Sequence, residues 1–330
     1  SLGLGAAQIE AGLVQLFQVS AGVNTQVVII AVITVLATLS LVLGLDKGIR
    51  RLSEINLLLA AALMLFVLLA GPTAAILRGI PDNLGNYLQN LPAMSLSTHP
   101  FRGLEWQKSW TIFYWAWWLS WAPFVGMFIA RISKGRTLRE FVVGVLVLPS
   151  VLSLLWFGIF GGAALRIELA DSAALASIVQ DNPALAIYAL LEHFPFATFT
   201  SVVAILLVAV FFITSSDSGS FVVDMLTSGG NPDPPVIQRI FWASMEGAIA
   251  IILLLMGGLG ALQAGAVSMG LPFCLILIAV AVALVKRLNA ESLNTEPLNT
   301  EPASAGMLET QQTMKAAVRG SSAPSSSSIP

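Results

Sequence analysis

Long runs of apolar residues, separated by short polar segments, dominate the chain. A helix needs about 20 mostly apolar residues to cross the hydrocarbon core of a bilayer. Eight segments meet or approach that length, and the first of them is short and rich in glycine: residues 1–18, 26–45, 55–77, 109–130, 141–164, 197–222, 238–258 and 263–285. The pattern therefore predicts an all-α integral membrane protein with about eight membrane helices.

Two of the polar segments are long enough to form structure of their own. In residues 82–91, apolar side chains recur at helical spacing after Asp82, a suitable N-cap, so we expect a short amphipathic helix at the outer membrane interface. In residues 168–195, Asn182 followed by Pro183 is typical of a helix start. We expect two short helices there, folded over the outer face as a lid.

Composition and charge agree with a membrane protein and exclude several other classes. Hydrophobic residues make up 56% of the chain and charged residues 10%, whereas soluble domains carry about 25% charged residues. The formal net charge of −2 argues against a nucleic-acid partner. Cys274 is alone, and His99 and His193 are far apart, so we predict neither a disulfide nor a metal site. No phosphate-binding loop or nucleophile–base pair indicates an enzyme.

The basic residues predict the orientation. If every span crosses once, one side carries Lys47, Arg50, Arg51, Arg131, Lys134, Arg136, Arg139, Arg239, Lys286 and Arg287, and the other side carries Arg78, Arg102, Lys108 and Arg166. Because cytoplasmic loops are enriched in Lys and Arg, the first side is predicted to be cytoplasmic, together with the C-terminus. The chain begins at Ser1 within an apolar run, so we expect it to be a fragment of a longer protein.

Five of the eight tryptophans lie within residues 110–121. Because a helix turns about 100° per residue, most of the aromatic side chains fall near one face: Trp110, Tyr114, Trp117, Trp118 and Trp121. Trp115 lies off this face. Indole faces attract a quaternary ammonium by roughly 0.5–2 kcal/mol per well-placed ring. An interfacial aromatic belt explains the deeper tryptophans less well than those at the helix end. Two interpretations of the deeper tryptophans therefore remain open: a ligand-binding site, and packing against neighbouring helices.

Hydroxyl and carboxyl groups cluster near the predicted inner end of the sixth span. Thr214 and Ser215 either bond to carbonyl groups one turn back or, with the Phe211 carbonyl, offer oxygen ligands to Na⁺. Buried acids at this depth are costly. We expect Asp217 to reach water or to cap a neighbouring helix, and Glu246 to make a structural hydrogen bond rather than to relay protons.

Several segments resemble the betaine/choline/carnitine transporter family. The most specific is WAWWLSWAPF at 115–124, followed by FIARISKGRTLREF at 128–141. The segments FFITSSDS at 211–218, GAAQI at 5–9 and KGI at 47–49 resemble the same family. The resemblance covers the chain from Ser1 to about Arg287.

The resemblance implies a leucine-transporter-like inverted-repeat fold that is incomplete at the N-terminus. The eight spans would correspond to the fifth to twelfth helices of the family. Five regions follow from this: the end of the first repeat with three membrane helices (1–77), an outer loop with the interfacial helix (78–108), the second repeat with five membrane helices (109–287), its outer lid (165–196), and a disordered cytoplasmic tail (288–330). A homotrimer in the plasma (inner) membrane is the family expectation.

The resemblance also implies site residues. The substrate site would use Trp118 first and Trp121 second, with Trp115 and Trp117 in its lining or access path. One sodium site maps onto Phe211, Thr214 and Ser215, and a second onto Phe124. The third and fourth family helices, which supply the remaining walls, are absent from this chain, so we expect half of each site.

The expected function is Na⁺-coupled import of a quaternary-ammonium osmolyte, most of all glycine betaine, with choline and carnitine as further candidates. The expected partners are that small molecule and the lipid bilayer, and no cofactor besides the coupling Na⁺ is implied. Two alternatives remain: a sodium-independent carnitine or betaine exchanger, and a membrane receptor that uses the aromatic cage without transport.

Overall fold

The computed structural model describes residues 2–43, 48, 50–97, 105–170, 174–231 and 234–294. Within these ranges the regular elements are helical, which confirms the all-α class. The α-helices are α1 (Leu2–Phe17), α2 (Val23–Leu43), α3 (Arg50–Ala70), α4 (Thr73–Leu96), α5 (Phe113–Ile132), α6 (Leu138–Trp156), α7 (Gly162–Ala170), α8 (Ala174–Asp181), α9 (Ala186–Leu191), α10 (Ala197–Thr227) and α11 (Val236–Asn294). Short π-helical stretches at Gln107–Ile112 and Phe157–Gly161 lead into α5 and α7.

Six helical segments of the described chain are long and apolar enough to cross a membrane: Val23–Leu43, Arg50–Ala70, Gln107–Ile132, Leu138–Ala170, Ala197–Thr227 and Val236–Ala290. The first predicted span is the shorter apolar helix α1. The last segment contains two predicted spans, because α11 is broken at Gly257 and Gly258, where the backbone dihedrals are not helical.

The break in α11 reverses the chain direction. The side chain of Leu253 lies 4.0 Å from the position that a Cβ on Gly265 would occupy. Twelve residues of continuous helix would separate these positions by about 18 Å. Gly258 has a φ of 60°, which glycine adopts at little cost. The predicted spans 238–258 and 263–285 therefore begin on different arms of one interrupted helix.

Helix α4 corrects two predictions. The third span was predicted to end at residue 77, but α3 ends at Ala70, because Pro72 lacks the N–H that would continue it. The interfacial helix was predicted over 82–91 with Asp82 as its cap; α4 instead runs from Thr73 to Leu96 and contains Pro81 and Pro92. The predicted boundary between residues 77 and 78 consequently lies inside a helix.

The C-terminal tail was predicted to be disordered from residue 288. Helix α11 continues to Asn294, so that prediction is wrong for residues 288–294. Apolar runs ending in charged residues often continue as helix beyond the apolar part, since Leu, Ala, Glu and Asn give no stop signal as strong as Pro or Gly. Residues 295–330 lie outside the described part of the chain.

The main core cluster draws most of its buried side chains from α1, α2, α9 and α10. A Cβ on Gly5 of α1 would lie 2.2 Å from the ring of Phe212 in α10, and a Cβ on Gly12 would lie 2.5 Å from the ring of Tyr188. Small residues allow helices in a membrane to approach closely. These two glycines therefore let α1 pack tightly against α10 and α9.

The predicted pair of short helices between α7 and α10 is confirmed as α8 and α9, joined by a 3₁₀ turn at Pro183–Leu185. Asn182 caps this turn, its Oδ1 accepting a hydrogen bond from the Ala184 N–H at 3.1 Å. Tyr188 of α9 donates to the Gln8 carbonyl at 3.0 Å. Burial raises the pKa of Tyr188 to about 12, so its hydroxyl remains a donor. A role of this segment as a lid remains a prediction.

Candidate functional site

The aromatic segment of α5 follows a stretch of π-helix. At Gln107–Ile112 the helix is wider than an α-helix, and the N–H of Phe113 reaches the carbonyl of Lys108. Such stretches are frequent at functional sites. Trp110 within this stretch stacks on Tyr114 of α5 at 5.8 Å between ring centroids, and the rings of Tyr114 and Trp117 lie 5.9 Å apart. The helix thus presents a continuous series of aromatic rings.

Three cavities lie in a row beside α5 and α10. The Trp110 cavity, about 970 Å³, is bordered among others by Trp110, Tyr114, Trp117, Asn182, Phe211 and Phe212. The central cavity, about 440 Å³, is bordered among others by Trp117, Trp121, Phe124, Phe212, Trp242 and Glu246. The Thr214 cavity, about 280 Å³, is bordered among others by Ser53, Trp121, Phe124, Thr214, Ser215 and Ser218.

Neighbouring cavities share walls. Trp117 and Phe212 border both the Trp110 cavity and the central cavity. Trp121, Phe124 and Ser215 border both the central cavity and the Thr214 cavity. Along α5 the three spaces follow one another. Along α10 the Thr214 cavity borders residues 214–219, which fall within the stretch 212–223 that borders the central cavity, so these two spaces lie side by side there.

The four predicted substrate residues fall into two groups. Trp117 and Trp121 border the central cavity. Trp118 is 58% exposed and Trp115 is 67% exposed, and neither borders any of the three cavities. The Trp118 ring lies edge-to-face against Trp121 at 6.2 Å between ring centroids. Within this chain, Trp118 is therefore adjacent to the central cavity only through Trp121.

Three of the predicted sodium-site residues meet at the Thr214 cavity: Phe124, Thr214 and Ser215. The Thr214 hydroxyl donates to the carbonyls of Val210 at 3.0 Å and Phe211 at 2.9 Å, which is the local bonding expected of a helical threonine. The side chain of Phe211 borders the Trp110 cavity instead. A hydroxyl that donates its hydrogen keeps its oxygen lone pairs, so this bonding is compatible with a cation ligand.

Several cavity residues escaped the sequence reasoning. Ser53 comes from α3 and Trp242 from α11, and only the tertiary fold brings them to the Thr214 and central cavities. Trp242 and Glu246 are four residues apart on one helix, a spacing that would have placed both on the same face.

The structure shows the surroundings of three acids, Asp217, Glu246 and Glu10. Asp217 is fully buried and has no hydrogen-bond partner among the described residues, so the expectation that it reaches water or caps a neighbouring helix is wrong. Glu246 accepts a hydrogen bond from the Ser220 hydroxyl of α10 at 2.6 Å, as predicted for a structural contact between helices. Glu10 of α1 accepts a hydrogen bond from the Gly22 N–H at 2.6 Å. In the described ranges, no cluster of three or more His, Cys, Asp or Glu residues could hold a metal ion.

Comparison with known proteins decides the family. Residues 1–293 match the family described as BCCT, betaine/carnitine/choline family transporter. The chain belongs to this family. Among its relatives, a glycine betaine/proline/choline transporter of Vibrio parahaemolyticus is 50% identical over 88% of this chain and 52% of its own length. The glycine betaine transporter OpuD of Bacillus subtilis is 45% identical over 88% of this chain and 57% of its own length.

The chain spans about half the length of the curated relatives that it matches. The family comprises membrane transporters, which confirms the all-α membrane class and excludes an enzyme. The substrate names belong to the relatives, and the division into inverted repeats remains a prediction.

Proposed function

We propose that this chain forms one wall of a Na⁺-coupled transporter that imports a quaternary-ammonium osmolyte, most of all glycine betaine. The observation that carries the proposal is the central cavity, bordered by Trp117, Trp121, Phe124 and Trp242. A quaternary ammonium has no hydrogen to donate, so aromatic faces are its main recognition element, each contributing roughly 0.5–2 kcal/mol. Relatives named as glycine betaine transporters support the same substrate class.

The four tryptophans have different roles in this proposal. Trp121 and Trp117 contact the substrate from within the central cavity. Trp118 and Trp115 are exposed in this chain, and they complete the substrate box or its access path together with the helices that the longer relatives possess. Choline and carnitine fit the same cage, because their cationic head group is the same.

The proposed coupling site is the Thr214 cavity. Thr214 and Ser215 provide uncharged hydroxyl oxygens, which suit an ion that must bind and then leave, and Phe124 adds an aromatic face. Ser215 and Phe124 border both this cavity and the central one, whereas Thr214 borders this cavity but not the central one. Occupation by Na⁺ would therefore stabilise the side chains that form the wall of the substrate cavity. A homotrimer in the plasma (inner) membrane with a cytoplasmic C-terminus belongs to the same proposal.

Uptake into proteoliposomes tests this proposal, using the protein as its gene encodes it. Radiolabelled glycine betaine should accumulate when Na⁺ is imposed outside and should not accumulate when K⁺ replaces it. The double variant Thr214→Ala and Ser215→Ala should lose most of this Na⁺ dependence. Thr200→Ala is the matched control, since Thr200 lies on the same helix and also bonds to carbonyls one turn back, but it borders none of the three cavities.

The possible outcomes separate the alternatives. Exchange of internal for external substrate with equal rates in Na⁺ and K⁺ would contradict the coupling and indicate the exchanger. Saturable binding without accumulation would contradict transport and indicate a receptor, because a receptor cannot concentrate its ligand.

A further inference from the structure

A single carboxyl group lies in the wall of the central cavity. Among the described residues that border this cavity, only Glu246 of α11 has an ionisable side chain. Trp242 lies one turn earlier on the same helix face and borders the same cavity. The acid and the aromatic side chains therefore face one space of about 440 Å³, a volume typical of small-molecule sites.

Helix α10 fixes the position of this carboxyl group. The Ser220 hydroxyl donates a hydrogen bond to Glu246 Oε2 at 2.6 Å. A Cβ on Gly219 would lie 3.9 Å from Oε1 and 4.0 Å from Oε2, so both oxygens lie against α10. Ser220 is the only donor to Glu246 found among the described residues. Since each carboxylate oxygen has two lone pairs, most of the accepting capacity of Glu246 remains available.

The described chain supplies no cationic side chain as a partner for Glu246. On α11, Arg239 pairs with Asp224 at 3.7 Å. Helices α1 and α10 contain no lysine or arginine, and the one in α5, Arg131, lies in the last turn of that helix. Asp217 of α10 is a further acid and does not border the central cavity. None of the ion pairs found in the described ranges includes Glu246.

An acid in this position favours a positively charged ligand. A carboxylate at membrane depth is costly unless a positive charge or hydrogen bonds compensate it, and such acids can serve as counter-ions of a ligand. A quaternary ammonium in the central cavity would bring the missing charge without needing a hydrogen bond. The aromatic rings would then attract the head group through their quadrupoles, and the carboxylate would attract it through its full charge.

We propose that Glu246 is the counter-charge of the ammonium group in the central cavity, and that it favours cationic substrates over zwitterionic ones. This inference rests on the proposed function, because it takes the central cavity as the substrate site. Choline carries only a positive charge. Glycine betaine also carries a carboxylate, which Glu246 repels. Glu246 therefore determines how well choline competes with glycine betaine for the cavity.

Binding of choline and of glycine betaine at one fixed Na⁺ concentration tests the proposal on the protein as its gene encodes it. Glu246→Gln removes the charge but keeps an oxygen that can accept the Ser220 hydrogen bond. At an effective dielectric constant of about 20, two close unit charges interact by more than the energy of a tenfold change in affinity. The ratio of the choline affinity to the glycine betaine affinity should therefore fall by about tenfold or more in this variant.

Two control variants separate the charge from a structural role. Glu10 of α1 is also buried and accepts hydrogen bonds, but it borders none of the three cavities. Glu10→Gln should therefore leave the affinity ratio unchanged. Ser220→Ala removes the hydrogen bond and keeps the Glu246 carboxylate, so the ratio should stay close to that of the unaltered protein. An equal fall in Ser220→Ala and Glu246→Gln would overturn the proposal, because it would indicate a purely structural role.

Three further outcomes would also overturn it. One is an unchanged affinity ratio in Glu246→Gln. Another concerns the neutral alcohol in which carbon replaces the nitrogen of choline: if Glu246→Gln weakens its binding as much as that of choline, Glu246 acts through the hydroxyl group and not through charge. The third is loss of folding. Removal of an uncompensated buried charge should not destabilise the protein, so a Glu246→Gln variant that fails to fold would show that the carboxylate pairs with a structural cation.

Failure of this proposal is distinguishable from failure of the proposed function. If Trp121→Ala weakens the binding of both ligands while Glu246→Gln leaves their ratio unchanged, the central cavity is the substrate site and only the counter-charge is refuted. If Trp121→Ala affects neither ligand, the placement of the substrate in the central cavity fails, and the role of Glu246 fails with it.

Discussion

Replacement of Trp121 by alanine should weaken the binding of glycine betaine. Trp121 borders both the central cavity and the Thr214 cavity, and it supports Trp118 at 6.2 Å. Loss of one cation–π contact removes roughly 0.5–2 kcal/mol. Since about 1.4 kcal/mol corresponds to a tenfold change in the dissociation constant, Trp121→Ala should raise that constant by about 2- to 30-fold.

Isothermal titration of the purified protein with glycine betaine provides the measurement. Trp121→Phe keeps an aromatic face of smaller area and should give an intermediate affinity. Trp106→Ala is the control, because Trp106 is exposed and borders none of the three cavities. It should leave the affinity unchanged.

The chemical basis can be tested with an analogue that lacks the positive charge. In tert-butylacetate, carbon replaces the ammonium nitrogen while the shape is retained. If Trp121→Ala weakens the binding of this analogue as much as that of glycine betaine, the ring acts by apolar contact and the cation–π argument fails. An unchanged affinity for glycine betaine itself would refute the placement of the substrate in the central cavity.

Trp118 needs the same test, because the family resemblance and the structure give it different importance in substrate binding. The resemblance places it first among the substrate residues, whereas here it is exposed and reaches the central cavity only through Trp121. If the complete substrate box includes Trp118, Trp118→Ala should weaken binding at least as much as Trp121→Ala. Weakening by Trp121→Ala alone would locate the ammonium group inside the central cavity.

Two further variants probe the packing that supports the site. Gly5→Val should displace the Phe212 ring, which lies 2.2 Å from the new Cβ position, and should therefore reduce uptake. Gly126→Ala is the control and should leave uptake unchanged, because its new Cβ meets nothing within 4 Å. Equal uptake by both variants would contradict this reasoning. Thr137→Ala removes the N-terminal cap of α6, where Thr137 and Glu140 form reciprocal hydrogen bonds. The free energy of unfolding should fall by about 1 kcal/mol, while uptake per folded molecule should stay unchanged. An unchanged melting temperature would show that the cap adds no stability.

Periodicity and length predicted most helices of the described chain but failed at prolines. Pro81 and Pro92 were interpreted as the ends of a short helix, yet both lie inside α4. In membrane proteins, neighbouring groups can satisfy the backbone that a proline leaves unpaired. The pair Gly71 and Pro72, by contrast, does end α3. Glycine makes the backbone flexible, and proline lacks the backbone N–H that would donate the next helical hydrogen bond.

The candidate site was only partly predictable. Family resemblance predicted Thr214 and Ser215 for one sodium site and Phe124 for a second, and all three residues border the Thr214 cavity. Ser53 and Trp242 carry no local signal for that role, because their place depends on how α3 and α11 pack against α10. The reversal at Gly257 and Gly258 was likewise visible only as a gap between two predicted spans.

The packing indicates which helices can move relative to one another. Helix α1 is interlocked with α10, since Gly5 has no room for a side chain beside Phe212. The first half of α5, in contrast, faces α10 across cavities, and Trp117 and Trp121 form the walls between these cavities. The second half packs Phe124, Met127 and Phe128 against the cluster that contains Phe221 and Val222 of α10. A displacement of the first half of α5 therefore costs less packing than a displacement of α1. The π-helical stretch before α5 offers a natural point for such a bend, so the aromatic residues proposed to bind the substrate would also control its passage.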